Sequence, residues 1–287
     1  MTDIPQRTLI DGTTIPAIGF GTYPLRGEEG ERTIAQAIGI GYRLLDTAVN
    51  YRNEDAVGRG LRASGLDRSE LIVQTKIPGR HHGYDETLAS FEVSRRALGV
   101  DTIDVYLIHW PNPSVDRYVD TFKAMIDLRD RGLVRTIGVS NFTQEFLTRL
   151  QRETGELPAV NQVELHPYFS QESLRAFHEE HGIVTQAWSP LGKNSPVFSE
   201  QAVTQAAAAH GVTPAQVVLR WHVEIGSVPL PKASSAERQR ENIDIFGPST
   251  GSGQAFELTG DEVAAITALA RENGRLFGGD PNHHEEQ

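Results

Sequence analysis

Eight short β-rich runs alternate with amphipathic helical stretches along this chain, and that alternation limits the available folds more than any other feature. The runs are Ile18-Gly19-Phe20, Leu44-Leu45-Asp46, Leu71 to Lys76, Val105 to His109, Thr136 to Ser140, Val160 to Glu164, Val184 to Trp188 and Val228-Pro229-Leu230. Helical spacing of apolar residues fills the gaps, over about Glu31–Ile40, Glu54–Ala63, Thr87–Leu98, Tyr118–Arg131, Gln144–Glu153, Gln171–His181, Glu200–His210 and Pro214–Glu224. Repeated βα units build a parallel sheet. Eight of them predict an α/β protein with a closed (β/α)8 TIM barrel rather than an open sheet. Ahead of the first unit, Asp11-Gly12 lies between two β-rich flanks in the segment Arg7–Ile15, a hairpin signal. That hairpin is expected to cap one end of the barrel. The segment Gly247-Pro248-Ser249-Thr250-Gly251-Ser252-Gly253 reads as a flexible insertion before a final helix near Asp261–Ala270. A chain of 287 residues with 38% hydrophobic content can fill one large core, so a single domain over 1–287 is expected.

Composition narrows the partners. A formal charge of −11 opposes nucleic acid and anionic membrane, which both call for clustered basic surface. No apolar stretch has membrane-spanning length, and Met1-Thr2-Asp3-Ile4-Pro5 lacks the regions of a signal peptide. The expectation is a cytoplasmic protein, monomeric, acting on a small molecule. Cysteine is absent, which removes thiolate metal sites and cysteine nucleophiles.

Chemistry enters at the ends of the runs. Asp46, Lys76 and His109 close three of them, and Tyr51 follows Asp46 in the next loop. In a barrel of parallel strands these ends share one face, where catalytic residues collect. Four of the 27 basic residues are lysines, which makes a lysine at such a position more notable. Reduction of a carbonyl needs hydride at carbon and a proton at oxygen. A phenol, with an ordinary pKa of roughly 10, is a suitable donor if a neighbour brings it towards neutrality. Lys76 is expected to do that for Tyr51, Asp46 to keep the ammonium charged and aimed, and His109 to orient the substrate oxygen. Taken singly, Asp46 could cap a turn, Tyr51 could be a loop aromatic, Lys76 a surface charge and His109 a core histidine. Together at one face they argue for carbonyl chemistry. Two other classes stay open: a lyase using Lys76 as a Schiff-base nucleophile, which borohydride trapping would reveal, and a barrel that only binds a nucleotide.

The same residues carry a family resemblance. Asp11-Gly12, the stretch Ile15-Pro16-Ala17-Ile18-Gly19-Phe20-Gly21-Thr22, then Gly41-Tyr42-Arg43-Leu44-Leu45-Asp46-Thr47-Ala48, Thr75-Lys76 and Leu107-Ile108-His109-Trp110-Pro111 resemble the aldo-keto reductase family. The likeness runs from about Thr8 to Arg271 and is greatest to the microbial branch that includes 2,5-diketo-D-gluconate reductases. It implies a (β/α)8 barrel, NADPH-dependent reduction of aldehydes and ketones, and the roles given above for Asp46, Tyr51, Lys76 and His109.

Neither a Rossmann glycine fingerprint nor a P-loop occurs, so the nucleotide must be held another way. The resemblance assigns the carboxamide of NADPH to Ser140, Asn141 and Gln162, and ring stacking to Trp188, where many relatives have tyrosine. It extends the cofactor site to Gly21, Thr22, Asp46, Ser189, Leu191 and Gly192. Lys232 and Arg238 resemble the clamp on the 2′-phosphate, with Ser234 beside them, and Glu241 and Asn242 match the adenine side. Ala233 departs from the commoner serine or threonine, which puts strict NADPH preference in doubt. For substrate, Tyr23 and Trp110 are expected beside Tyr51 and His109, with the tail around Leu276-Phe277 completing an aromatic mouth. After Lys76 the chain has Ile77-Pro78-Gly79-Arg80-His81-His82-Gly83, whereas diketo-gluconate reductases commonly place tryptophan near that point, so sugar-acid specificity does not transfer. No metal site is expected: His81-His82 lacks further ligands at metal spacing, His178 and His181 are three apart, and His283-His284-Glu285-Glu286 reads as a disordered terminus.

Overall fold

In the computed structural model, residues 4–193, 195–247 and 256–286 are described, so the insertion expected at 247–253 lies outside them beyond Gly247. The chain opens with an antiparallel pair, β1 (Gln6–Thr8) and β2 (Thr14–Pro16), in which Arg7 stands opposite Ile15. Its turn is fixed locally, because the Asp11 carboxylate accepts from both the backbone N–H and the hydroxyl of Thr13.

Eight parallel strands follow: β3 (Phe20–Gly21), β4 (Leu44–Asp46), β5 (Ile72–Ile77), β6 (Ile103–Ile108), β7 (Val134–Ser140), β8 (Val160–Glu164), β9 (Val184–Trp188) and β10 (Val228–Pro229). Each pairs with its neighbour in chain order. The seam between β3 and β10 is closed by Gly19 N–H donating to Pro229 O at 3.0 Å and Gly21 N–H to Pro231 O at 3.1 Å. A Cβ on Gly21 would stand 2.8 Å from Leu230 O, so the seam needs glycine there. All eight expected runs are strands. Their limits shift slightly: β5 extends to Ile77 and β6 stops at Ile108, which leaves His109 one residue past its strand.

The helices are α1 (Gly27–Ile40), α2 (Glu54–Ala63), α3 (Tyr84–Leu98), α4 (Tyr118–Asp130), α5 (Gln144–Thr154), α6 (Glu172–Glu180), α7 (Gln201–His210), α8 (Pro214–Glu224), α9 (Ala236–Ile243) and α10 (Gly260–Thr267). Sequence chemistry sets their ends. Thr213 caps α8 in a reciprocal box with Gln216 and puts Pro214 at the first helical position, where its missing N–H costs nothing. Gly99, Gly155 and Gly211 end α3, α5 and α7 in the left-handed conformation that glycine adopts without strain.

The main apolar cluster lies between the strands and α1 to α5. A second cluster, around Trp221 of α8, joins α7, α8 and α10. The hairpin fills the amino end of the barrel, where Leu9 and Ile15 pack with Leu44, Val105, Val160 and Val228. Thr13 Oγ1 reaches Thr136 Oγ1 at 2.8 Å, and Arg7 donates to Val223 O at 3.0 Å. The opposite, carboxyl end is therefore the open one.

Candidate active site

Successive inward-facing positions on a strand are two residues apart. On β4 that step runs from Leu44 to Asp46, on β5 from Ile72 through Gln74 to Lys76, on β8 from Val160 to Gln162 and on β9 from Val184 to Gln186. The interior thus changes from hydrocarbon to polar within one step. Gln74 and Gln162 each donate to Asp46 Oδ1, at 2.7 and 2.9 Å, and to Gln186 Oε1, at 2.7 and 3.1 Å. Gln186 donates back to Gln74 Oε1 at 2.9 Å. This amide layer is a floor under the site that fixes the Asp46 carboxylate.

Lys76 is fully buried on that floor. Its ammonium meets Asp46 Oδ1 at 2.7 Å, Asp46 Oδ2 at 2.8 Å, Thr47 O at 2.9 Å and the Tyr51 hydroxyl at 3.2 Å. Burial alone would drive off its proton, yet Asp46 and Tyr51 outweigh burial and hold the ammonium above its ordinary range. For Tyr51 the balance goes the other way. Burial raises the phenol, Lys76 lowers it by less, and the net direction is upward. Lys76 thus acts on the phenol in the expected direction, by charge and by hydrogen bond, while burial opposes it. The Tyr51 ring lies 5.2 Å from Tyr23 and 5.8 Å, edge-on, from His109. Asn53 fastens the loops that carry these groups, taking the Thr47 hydroxyl at 2.7 Å and donating to Thr22 O and Thr22 Oγ1.

A cavity of about 660 Å³ opens above the quartet, lined by Asp46, Tyr51, His109, Asn141, Gln162 and Trp188 and reaching Gly21, Thr22, Tyr23, Ser189, Leu191 and Lys232. The Asn141 side chain is held by His109 O, Ser140 Oγ and Trp188 Nε1, which donates to Asn141 Oδ1 at 2.8 Å. Ser140 itself donates to Gln162 O at 2.7 Å. Trp110 and Phe277 also line the cavity, and Phe277 stands 5.3 Å from Trp188. At the far end Lys232 donates to Ser234 Oγ at 2.5 Å, and Ser235 caps α9, which carries an exposed Arg238. Glu241 accepts from Thr213, and Asn242 is buried. Asp46, Tyr51, His109, Asn141, Gln162 and Lys232 thus share one cavity, with Lys76 and Ser140 directly behind its wall, while Arg238, Glu241 and Asn242 sit beyond it on α9.

The tail overturns one expectation. Residues 283–286, read from composition as a disordered terminus, pack against the site. His284 lies 4.0 Å from the Trp110 ring, and Glu286 Oε1 is 2.7 Å from His109 Nδ1. The contacts are between side chains and backbone far apart in sequence, so no periodicity announces them. Gln74, Gln186, Asn112 and Glu286 were also missed. For Gln74 and Gln186 a signal existed, since each stands one inward step past an apolar residue on its strand. His81 Nδ1 stands against Ser90 Oγ at 2.9 Å, and His82 is buried and pushed down to about 4 by burial.

A parallel barrel thus carries a buried Asp–Lys pair beside a tyrosine and a histidine at the base of one cavity, an arrangement consistent with an oxidoreductase. Residues 17–271 match the aldo/keto reductase family. The chain belongs to that family and is an NADP-dependent oxidoreductase. It is 57% identical over 286 residues, all of each chain, to 2,5-diketo-D-gluconic acid reductase B of Corynebacterium sp. (strain SHS752001). An aldo-keto reductase of Mycolicibacterium smegmatis is 47% identical over 96% of this chain and 97% of its own. Among solved structures, apo Gox0644 superposes with a TM-score of 0.92 at 42% identity over 99% of both chains. A Gox0644 mutant in complex with NADPH gives 0.91 at the same identity and coverage.

Proposed function

We propose that this protein reduces aldehydes and ketones to alcohols, with Tyr51 as the proton donor. The observation that carries the reading is the 3.2 Å contact between the Tyr51 hydroxyl and an ammonium that Asp46 holds charged inside the barrel. NADPH, when bound, supplies the hydride. Its carboxamide fits Asn141 and Gln162: both Gln162 amide hydrogens are spent on Asp46 and Gln186, which leaves the Gln162 carbonyl oxygen to accept. Trp188 offers a flat face on the same wall, and its indole N–H is already satisfied by Asn141. At the other end, Lys232, Arg238 and the amino terminus of α9 gather positive charge suited to a phosphate, with Ser234 tied to Lys232. Ser189, Leu191 and Gly192 form the loop between these ends, and Glu241 and Asn242 are proposed for the adenine side.

The neutral Tyr51 is consistent with this role. As negative charge develops on the substrate oxygen, Tyr51 gives up its proton, and the phenolate left behind meets Lys76 at hydrogen-bond distance. Lys76 therefore acts most strongly on the charge that appears during reaction, which is where stabilisation accelerates a step. His109, beside Tyr51, orients the substrate oxygen. Tyr23 and Trp110 supply apolar wall for the rest of the substrate. We further propose a cytoplasmic, single-domain monomer over 1–287; among the described residues no helix is long and apolar enough to cross a membrane.

Tyr51→Phe tests the assignment. Turnover should fall by at least about 10²-fold, the low end of what a general acid contributes, while NADPH affinity measured by fluorescence stays within a few-fold. Retained turnover in that variant would move the acid elsewhere.

A further inference from the structure

The tail residue Glu286 occupies a place built for it. Asn112 clasps its backbone from both sides, with Nδ2 donating to Glu286 O at 2.6 Å and Oδ1 accepting from Glu286 N–H at 3.2 Å. Gly79 makes the room, since a Cβ there would stand 2.4 Å from Glu286 O and 2.1 Å from Asn112 Nδ2. The adjoining Glu285 carboxylate accepts from Ser114 N–H at 2.8 Å. So held, the Glu286 carboxylate takes Asn50 Nδ2 at 2.6 Å on one oxygen and Gly79 N–H at 3.2 Å on the other. The first oxygen also faces His109 Nδ1 at 2.7 Å, within ion-pair distance though oblique to an ideal hydrogen bond. Side chains of His109 and Glu286 are only 13% and 10% exposed, so water does not readily replace either partner. Burial alone would raise the carboxyl, but His109, Asn50 and Gly79 together carry it below its ordinary value, so it is a carboxylate at neutral pH.

We infer that Glu286 is a positioning residue for His109, keeping a proton on Nδ1 and thereby leaving Nε2 as the nitrogen that answers to the substrate oxygen. A carboxylate cannot donate, so its neighbour on the ring must. Nε2 is then the ring nitrogen free to face the substrate oxygen. Protonated there, the ring donates to a carbonyl oxygen; bare there, it accepts from an alcohol hydroxyl. One anchored ring can serve both the reactant and the product of a reduction. The clasp on Asn112 also couples this chemistry to the tail, because Glu286 reaches His109 only when the tail is closed over Trp110 and Gly79. The inference rests on the carbonyl-reductase reading of the site for its consequence, but not for its direct readout.

That readout is the ¹⁵N chemical shift of the two His109 nitrogens in the full chain bound to NADP⁺, assigned by loss of the signals in His109→Gln. Wild type should show neutral His109 in the Nδ1–H form. Glu286→Ala should shift the ring towards the Nε2–H form and lower kcat for alcohol oxidation, in which Nε2 has to accept the hydroxyl, about ten- to a hundredfold, with NADP⁺ affinity changed less than about twofold. Glu286→Gln keeps the Asn112 clasp and an oxygen for Nδ1–H, so it should preserve the Nδ1–H form and restore most of kcat. An unchanged tautomer in Glu286→Ala would overturn the inference, whether or not kcat fell, since a fall without it would make Glu286 a tail anchor only. No turnover by any variant or by wild type would instead count against carbonyl reduction, and the tautomer reading would still stand.

Discussion

At the hairpin end of the barrel, Leu9, Ile15, Leu44, Val105, Val160 and Val228 fill the interior with hydrocarbon; one inward step along β4, β8 and β9 stand Asp46, Gln162 and Gln186, with Gln74 and Lys76 on β5. Both layers are buried, yet they do opposite things. The apolar end stabilises the fold through removal of its side chains from water. The polar end has to recover the cost of burying a charge pair and three amides, and it does so by satisfying them mutually. Replacing such a pair with hydrocarbon of similar shape is often neutral or stabilising. The polar layer is thus better explained by the proton chemistry above it than by stability.

The sharpest way to break that comparison is Lys76→Met. It leaves Asp46 buried and charged with only amide donors, so unfolding by urea should show a loss of about 3–5 kcal/mol, and single-turnover NADPH oxidation should slow more than about 10²-fold. Adding Asp46→Asn should recover much of the stability and none of the turnover. Were the double variant as active as wild type, the polar layer would have no catalytic purpose.

Ile15→Ala probes the other end. Ile15 is buried in the plug and touches nothing in the cavity. The substitution should cost about 2–5 kcal/mol in denaturant unfolding while kcat at a temperature below the transition stays within about twofold of wild type. A comparable fall in kcat would mean that the two ends are mechanically coupled and cannot be assigned separate tasks.

Legibility follows the same division. The eight strands were readable because each is a short apolar run closed by turn or helix signals, and α2 and α8 were placed at their observed limits. The meeting of Asp46, Tyr51, Lys76 and His109 was readable because strand ends in a parallel barrel share a face, which turns distant positions into neighbours. α1 begins at Gly27 rather than Glu31 because its first turn is polar, with Glu28 and Glu29 favoured at a helix amino terminus and carrying no apolar signal. The Gln74 and Gln186 floor was hidden inside runs that otherwise read as buried strand. Glu286 was hidden more deeply: its partners Asn50, Gly79, His109 and Asn112 are all more than 170 positions away in sequence. The sign of the balance at Tyr51 was also out of reach, since burial is a property of the assembled barrel rather than of the sequence around the tyrosine.

A smaller effect sharpens the comparison along the cavity instead of across the barrel. Asp46 and Lys76 are buried and their charges act through low-dielectric surroundings, whereas Lys232 is exposed at the far end and donates to Ser234. An exposed cation is screened, so Lys232→Ala should weaken NADPH by about tenfold, roughly 1.4 kcal/mol, a modest charge-assisted contribution. NADH, which lacks the 2′-phosphate, should lose less than about threefold. The NADPH penalty should shrink as salt rises from 50 to about 500 mM, because screening weakens exposed contacts first. Titration of both nucleotides by protein fluorescence across that range checks it. Equal losses for NADPH and NADH, independent of salt, would remove Lys232 from the phosphate site and leave Arg238 and the amino terminus of α9 to account for any preference.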